Sequence, residues 1–214
     1  MKDEGTSHKK GKTMRTFRYG TAELDHLRMR DKKLGTAIDR IGRIEREVTP
    51  DLFAALVSCI AGQQISAKAA ATVCARLHER FRPFTPETFA AASPEEIQAC
   101  GLSLRKAGYI RGIGEAVTRG KLDLRALRDL PDDEVIRILS SLRGVGTWTA
   151  EMLLIFSLER PDILSRDDLA IRRGMMKLYG HPTLTDEQFG RYRKRYSPYG
   201  SVASLYLWAV SHEG

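Results

Sequence analysis

Two features of the sequence could do chemistry together: a glycine-containing turn and a carboxylate that follows it. The turn lies within Leu142–Ala150, which reads LRGVGTWTA, and Asp168 follows eighteen residues after that string ends. Gly144 and Gly146 permit a positive φ and the close approach of another backbone. Asp168 stands at a predicted helix start, so the chain combines a tight turn with a carboxylate at a helix N terminus.

The turn is predicted to join two amphipathic helices. Apolar residues recur at helical spacing before it, and a second apolar stripe follows it as far as Pro161. The turn therefore leads into a helix N terminus, where unpaired N–H groups and the macrodipole favour an anion such as a nucleic-acid phosphate. Arg143 adds a positive charge beside it. An ordinary tight turn between two packed helices would contain the same glycines.

The nine-residue string resembles the helix-hairpin-helix motif of the DNA glycosylase superfamily, in the version found in 3-methyladenine DNA glycosylase II. The resemblance covers roughly residues 17–212. It implies an all-α fold in which two helical subdomains flank a DNA-binding cleft. One subdomain would be continuous, residues 48–162, with the hairpin at 142–150. The other would combine residues 15–47 with residues 163–214.

The rest of the chain independently predicts an all-α fold. Hydroxyl–proline pairs at Thr49–Pro50, Thr85–Pro86 and Ser93–Pro94 each predict a capped helix start, and Ser66 is a further candidate cap. Alternating β-branched runs bounded by turn residues are lacking. Residues 1–14 are polar and are predicted to be a disordered tail.

Asp168 is the candidate catalytic residue. From the residues alone, Asp167 and Asp168 could both be acids at the start of a helix. The resemblance instead implies that Asp168 is the essential aspartate, and Asp167 is assigned to capping. Breaking an N-glycosidic bond leaves positive charge on the sugar, which a fixed carboxylate stabilises. The same carboxylate could orient or deprotonate the attacking water, and the sequence leaves both roles open.

The two tryptophans are candidates for a base pocket. Trp148 stands where glycosylases that also cut the backbone carry a Schiff-base lysine, so the resemblance implies base removal alone. Trp148 and Trp208 match aromatic positions of the family's pocket, and a cation–π contact would add about 0.5–2 kcal/mol for a charged base. Trp208 could equally be a core residue. Met152 replaces a tyrosine of some members, which predicts a softer and less aromatic pocket wall.

A flipped base leaves a gap in the duplex that some side chain must fill. The segment Ile60–Ser66 resembles the family's inserting loop, with Gln64 at the matching position and Ile65 as the apolar alternative. An ordinary polar loop would also account for these residues. The resemblance assigns phosphate binding to five residues of the hairpin: Arg143, Gly144, Val145, Gly146 and Thr149.

Composition agrees with a nucleic-acid partner without proving one. The net charge of +8 and the pI near 9.5 suit a polyanion, whereas 42% hydrophobic and 29% charged residues are typical of a soluble globular protein. Two basic groups are expected to contact phosphates, or to be solvated surface. They are Arg166, Arg172, Arg173 and Lys177, and Arg191, Arg193, Lys194 and Arg195.

The glycosylase interpretation requires no organic cofactor, and the three widely separated cysteines indicate no metal site. The resemblance allows a monovalent cation on hairpin carbonyls. Neither a signal peptide nor a run of transmembrane length is recognisable, so the protein is expected to be cytoplasmic and nucleoid-associated. It is expected to be a monomer, because no exposed heptad or apolar seam suggests assembly. The expected partner is double-stranded DNA with alkylated bases.

These observations favour a monofunctional DNA glycosylase that excises alkylated purines in base-excision repair. The alternative is a non-enzymatic helix-hairpin-helix module that only binds the DNA backbone; such a module needs neither the aspartate nor the tryptophans. A glycosylase–lyase is a third interpretation, and Trp148 argues against it.

Overall fold

The structure is a computed structural model that describes residues 15–213. This part of the chain contains twelve α-helices and a short 3-10 helix at Ala126–Arg128, and none of it forms a strand. One antiparallel bridge, between Thr16 and Glu47, ties the first extended segment to the stretch before the third helix. The all-α prediction is confirmed. The predicted tail, residues 1–14, lies outside the described residues.

The helices are numbered in chain order. They are α1 (Thr21–Arg30), α2 (Lys32–Ile41), α3 (Leu52–Gly62), α4 (Ala67–Arg80), α5 (Pro86–Ala91), α6 (Pro94–Gln98), α7 (Leu104–Thr118), α8 (Asp132–Ser140), α9 (Thr147–Phe156), α10 (Leu169–Tyr179), α11 (Asp186–Tyr196) and α12 (Gly200–His212). Within residues 15–213, none of these helices combines the length and apolar character that crossing a membrane requires.

The helices pack in two groups. Helices α1, α2, α10, α11 and α12 contact one another, and helices α3 to α9 form the second group around α3, α7 and α9. The division into residues 48–162 and residues 15–47 plus 163–214 stays a prediction. One hydrophobic core nevertheless runs through both groups.

Helices α10 and α12 approach each other unusually closely at Gly174. A Cβ atom added there would lie 2.1 Å from the carbonyl oxygen of Leu207, so only glycine fits. Asp168 precedes the first residue of α10, and Trp208 follows Leu207 on α12. The contact at Gly174 therefore fixes the distance between two of the candidate site residues.

Most of the predicted helix starts are confirmed, but the one at Thr49 is wrong. The side chains of Ser66, Thr85 and Ser93 cap α4, α5 and α6 as predicted. Asp51 rather than Thr49 caps α3, with its Oδ1 accepting from Ala54 N at 3.1 Å. Asp51 lies one residue before the helix, where its short carboxylate reaches the third N–H of the first turn.

Candidate functional site

The predicted hairpin is the turn between α8 and α9. Within it the Val145 N–H donates to the Leu142 carbonyl oxygen at 3.1 Å. Gly144 has a φ of 85°, and a Cβ atom there would lie 2.3 Å from Cδ2 of Tyr109. Gly146 is the residue before α9, and a Cβ atom there would meet nothing within 4 Å. Gly144 is thus required by the turn itself, whereas Gly146 leaves open space in front of the helix.

The five hairpin residues assigned to phosphate binding differ in accessibility. Arg143 and Gly146 are exposed, whereas Val145 and Thr149 are buried. Because the Val145 N–H is already engaged and its side chain is buried, Val145 packs the turn instead of offering a free donor. Within residues 15–213 no side chain caps the N terminus of α9. The first N–H groups of α9 therefore face outward beside Gly146, an arrangement that suits a phosphate.

The loop between α3 and α4 is attached to the hairpin. Gln63 Nε2 donates to the Gly144 carbonyl oxygen at 2.8 Å. Lys106 Nζ donates to the carbonyl oxygens of Ala61, at 3.1 Å, and Gln63. Burial lowers the pKa of Lys106. The sequence did not single out Gln63 or Lys106, because the contacts that they make join segments far apart in the chain.

The two predicted inserting residues protrude from that loop. Gln64 is exposed and has a φ of 58°, a backbone conformation that non-glycine residues seldom adopt. Ile65 beside it is 42% exposed. The bonds made by Gln63 and Lys106 hold the base of the loop while these two side chains point away from the core.

Asp168 is itself the helix cap, so the assignment of capping to Asp167 is wrong. Asp168 Oδ1 accepts from the N–H groups of Ala170 at 2.8 Å and Ile171 at 2.9 Å. Only the residue directly before the first turn can make both bonds, and that residue is Asp168. Its side chain is held at the positive end of α10, which favours an anion.

Trp148 holds the other oxygen of the same carboxylate. Its Nε1 donates to Asp168 Oδ2 at 2.9 Å, while the indole ring is 44% exposed. Asp168 is 6% exposed. The carboxylate is therefore fixed by three N–H donors, and only one of its sides is accessible.

That side is a cavity of about 540 Å³ with a largely aromatic and apolar wall. Trp208 lies in the wall and stacks on Phe156, with ring centroids 5.6 Å apart. Met152 also lines the cavity and is buried. The lining residues are Ile44, Arg46, Trp148, Met152, Phe156, Asp168, Leu205, Trp208, Ala209 and His212. The structure thus brings together all three residues predicted for the base pocket and the predicted catalytic aspartate.

Helical spacing could have revealed part of the wall that the sequence analysis missed. Phe156 follows Met152 by four residues on α9, and His212 follows Trp208 by four on α12, so each pair shares a helix face. Ile44 and Arg46 lie in an extended segment with no such period. Leu169, beside Asp168, is 74% exposed and was also missed.

Five of the eight side chains in the two basic groups are engaged in contacts within the protein, and their binding to phosphates stays a prediction. Arg195 pairs with the buried Asp31 at 2.6 Å, and Arg166 pairs with Asp186. The other three engaged side chains donate to carbonyl oxygens: Arg172 to Leu184, Lys177 to Ser211 and Arg193 to Leu164. These residues mainly fix the packing of α10, α11 and α12.

The arrangement combines an uncapped helix N terminus, a protruding loop and a carboxylate at the edge of an aromatic cavity. Such a surface can bind a polyanion backbone, take in one planar group and stabilise positive charge beside it. In the described part of the chain no three histidine, cysteine or acidic side chains are grouped to hold a metal. The fold and site define an all-helical helix-hairpin-helix protein with a carboxylate-bearing pocket.

Comparison with known proteins gives the family. A family model described as "HhH-GPD superfamily base excision DNA repair protein" matches residues 57–198. The chain belongs to the HhH-GPD superfamily, which confirms the resemblance drawn from the hairpin string.

Two similar proteins of known sequence illustrate the relationship. The chain is 33% identical over 165 residues to DNA-3-methyladenine glycosylase 1 of Schizosaccharomyces pombe, covering 73% of this chain and 71% of that protein. It is 29% identical over 169 residues to DNA-3-methyladenine glycosylase 2 of Escherichia coli, covering 74% of this chain and 57% of that protein. The match therefore spans little more than half of the second protein.

Solved structures share the fold. A crystal structure of a DNA-3-methyladenine glycosidase from Bacillus halodurans has a TM-score of 0.82 and 35% identity, and the match covers 93% of both chains. The 3-methyladenine DNA glycosylase of S. pombe in complex with abasic DNA has a TM-score of 0.75 and 31% identity, with 88% of this chain and 95% of that chain covered.

Proposed function

We propose that the protein is a monofunctional DNA glycosylase that removes alkylated purines, of the 3-methyladenine and 7-methylguanine class, in base-excision repair. The observation that carries the proposal is the placement of Asp168, which three N–H donors hold at the edge of the aromatic cavity. The relatives named as 3-methyladenine glycosylases support the substrate class.

DNA would be bound through two elements. The N terminus of α9, with Gly146 and Arg143, would hold backbone phosphates, and the loop carrying Gln64 and Ile65 would fill the gap left by the extruded nucleotide. Extrusion costs roughly a few kcal/mol. The bond from Gln63 to Gly144 keeps these two elements in one geometry.

In the reaction the bond between C1′ of the sugar and the base nitrogen breaks, and its electron pair passes to the base. The sugar becomes cationic, and the Asp168 carboxylate stabilises it electrostatically. Water then adds to C1′, and Asp168 can accept its proton. Trp148 and Trp208 would stack on the extruded base, with a cation–π contribution of about 0.5–2 kcal/mol for a charged purine.

Base removal without strand cleavage is supported by the wall of the cavity. A lyase needs an amine that can form a Schiff base with the sugar. Trp148 occupies the hairpin position, and the described cavity wall contains no lysine. The product would be an abasic site.

Three further features belong to this proposal. The protein would act as a monomer, and a substrate of chromosomal DNA favours a cytoplasmic, nucleoid-associated location. It would use no organic cofactor. A monovalent cation on hairpin carbonyls is compatible with the turn, because the Leu142 oxygen, which accepts from Val145, has a second lone pair.

The test is release of methylpurines from methylated duplex DNA by the wild type and by Asp168→Asn. The asparagine oxygen can still cap α10, so this variant should fold and bind DNA with nearly unchanged affinity while excision is abolished. Excision by Asp168→Asn at the wild-type rate would overturn the catalytic assignment. DNA binding by the wild type with no release of any methylpurine would favour the non-enzymatic DNA-binding module.

A further inference from the structure

Arg46 is a positively charged residue in the wall of a pocket that is proposed to take cationic bases. Its backbone is anchored to the first extended segment, because Phe17 N donates to the Arg46 carbonyl oxygen at 2.8 Å and Val48 N, two residues further on, donates to that of Arg15 at 2.9 Å. The guanidinium lies over the ring of Phe156, with its carbon 5.5 Å from the ring centroid. Phe156 in turn stacks on Trp208. The side chain thus extends the aromatic wall with a charged planar group.

The donors of Arg46 are not used within the described residues. It forms no salt bridge and no side-chain hydrogen bond with any of residues 15–213. Neighbouring arginines differ: Arg15 and Arg18 pair with Glu159, and Arg43 donates to the Tyr19 carbonyl oxygen at 3.1 Å. A guanidinium carries five N–H donors in a rigid plane. Those of Arg46 are therefore available to a group that enters the cavity.

The charge matters because bond cleavage changes the charge of the base. A cationic purine such as 7-methylguanine becomes neutral when the electron pair of the glycosidic bond passes to its N9 atom. A neutral purine becomes an anion in the same step. A guanidinium beside the base disfavours binding of a cationic purine and stabilises the anion that develops on a neutral one. Both effects favour the removal of neutral purines over cationic purines.

We propose that Arg46 is a specificity-determining residue: its guanidinium donates hydrogen bonds to the departing base and raises the removal of neutral purines with acceptor edges relative to that of cationic purines. This inference rests on the proposed glycosylase function and assigns one residue of its pocket. In the reaction the electron pair of the glycosidic bond passes to N9, the oxygen of water adds to C1′, and a proton of that water passes through Asp168 to solvent. The anion on a neutral base is then protonated by solvent after release.

The experiment compares two lesions in one duplex sequence under single-turnover conditions. Hypoxanthine is the neutral purine with acceptor edges, and 7-methylguanine is the cationic purine. Wild type, Arg46→Gln and Arg46→Lys are measured, with Arg43→Gln as the matched control. Arg43 lies three residues away, over the ring of Tyr19 at 4.8 Å, and is not part of the cavity wall.

We expect Arg46→Gln to slow hypoxanthine release by about 10- to 100-fold, the effect of losing a charge-assisted hydrogen bond. The release of 7-methylguanine should change by less than about threefold or increase, because its leaving group needs no anion stabilisation. Arg46→Lys should give an intermediate ratio, since it keeps the charge and loses the planar donors.

Other outcomes would contradict the proposals. An equal change for both lesions in Arg46→Gln, or the same ratio shift in Arg43→Gln, would overturn the specificity role. Release of 7-methylguanine but no hypoxanthine by the wild type would also overturn it while leaving the proposed function standing. Release of neither base by the wild type would overturn the proposed function itself.

Discussion

Trp148 Nε1 lies 2.9 Å from Asp168 Oδ2, and this bond joins the first turn of α9 to the residue that caps α10. The opposite oxygen accepts from Ala170 and Ile171. Both carboxylate oxygens are thus oriented, one by backbone N–H groups of α10 and the other by the Trp148 side chain of α9. The position of the hairpin on DNA would consequently determine where the carboxylate meets the sugar.

Replacing Trp148 by phenylalanine removes this N–H and keeps an aromatic ring. We expect the single-turnover rate to fall by about tenfold or more, the typical effect of losing a hydrogen bond to a charged group. Affinity for lesion-free duplex should stay within about threefold, since a hydrogen bond inside the protein is lost and no phosphate contact changes. Trp208→Phe is the control, because Trp208 stacks on Phe156 and is not among the residues whose N–H groups donate to the Asp168 carboxylate. Equal rate losses in both variants would argue against a positioning role of the N–H.

The two hairpin glycines should respond differently to alanine. At Gly144 a Cβ atom meets the Tyr109 ring and the φ of 85° is strained for any other residue, so Gly144→Ala should lose about 2 kcal/mol or more of unfolding free energy. Gly146→Ala should be nearly neutral, because its Cβ atom meets nothing. Urea unfolding of both variants measures the difference. A destabilised Gly146→Ala and an unaffected Gly144→Ala would contradict this account of the turn.

Gly146 is suited to a second test, of phosphate binding. Gly146→Asp places a carboxylate at the N terminus of α9, where it would take the place of a phosphate. We expect weaker binding to undamaged duplex and a smaller dependence of affinity on salt than in the wild type. Gly146→Asn has nearly the same shape without the charge and should bind more tightly than Gly146→Asp. Identical affinities for all three proteins at several salt concentrations would exclude a phosphate near Gly146.

The sequence was sufficient for the fold class and for four residues of the pocket wall, which include Met152. The all-α class follows from caps and periodicity, which are local and survive in any packing. Asp168 was found by its separation from the hairpin string, whereas Trp148 and Trp208 were found because they match aromatic positions of the family's pocket. Their roles remain predictions, whereas their meeting at one cavity is observed.

The remaining features of the site depend on contacts between distant parts of the chain, which the sequence does not reveal. Gln63, Lys106 and Arg46 gain their importance from partners more than forty residues away in the chain, at Gly144, Ala61 and Phe156. No spacing rule connects such positions. The assignment of capping to Asp167 was wrong for a local reason, since two adjacent acids compete for one cap and only the helix boundary decides between them.

The bond from Gln63 to Gly144 predicts that the loop between α3 and α4 and the hairpin act as one unit. Gln63→Ala should lower the excision rate about tenfold on duplex DNA, the larger end of what one lost hydrogen bond causes. The rate on the same lesion in single-stranded DNA should change little, because no gap needs filling there. Gln188→Ala is a control that removes a glutamine from α11, outside the loop and hairpin. An equal loss on both substrates would show that Gln63 acts on the chemistry rather than on extrusion.

Glu151, on α9 one turn after Trp148, predicts a pH dependence of stability. Burial raises the pKa of its carboxyl, with contributions from Asp167 and Asp168, and its Oε2 is buried without a partner among the described residues. The folded state therefore keeps this proton to a higher pH than the unfolded state does. The stability linked to that proton is complete below the ordinary value of 4.5 and is lost as the pH rises through the raised pKa.

Glu151→Gln removes this titration, so the variant should gain stability over the wild type at about pH 8 and lose the advantage as the pH falls toward about 4.5. Glu79→Gln, which removes the same charge from an exposed position on α4, should show no such convergence. Urea unfolding across the pH range measures both variants. A stability difference between Glu151→Gln and the wild type that is constant with pH would mean that the Glu151 carboxyl titrates alike in the folded and unfolded chain.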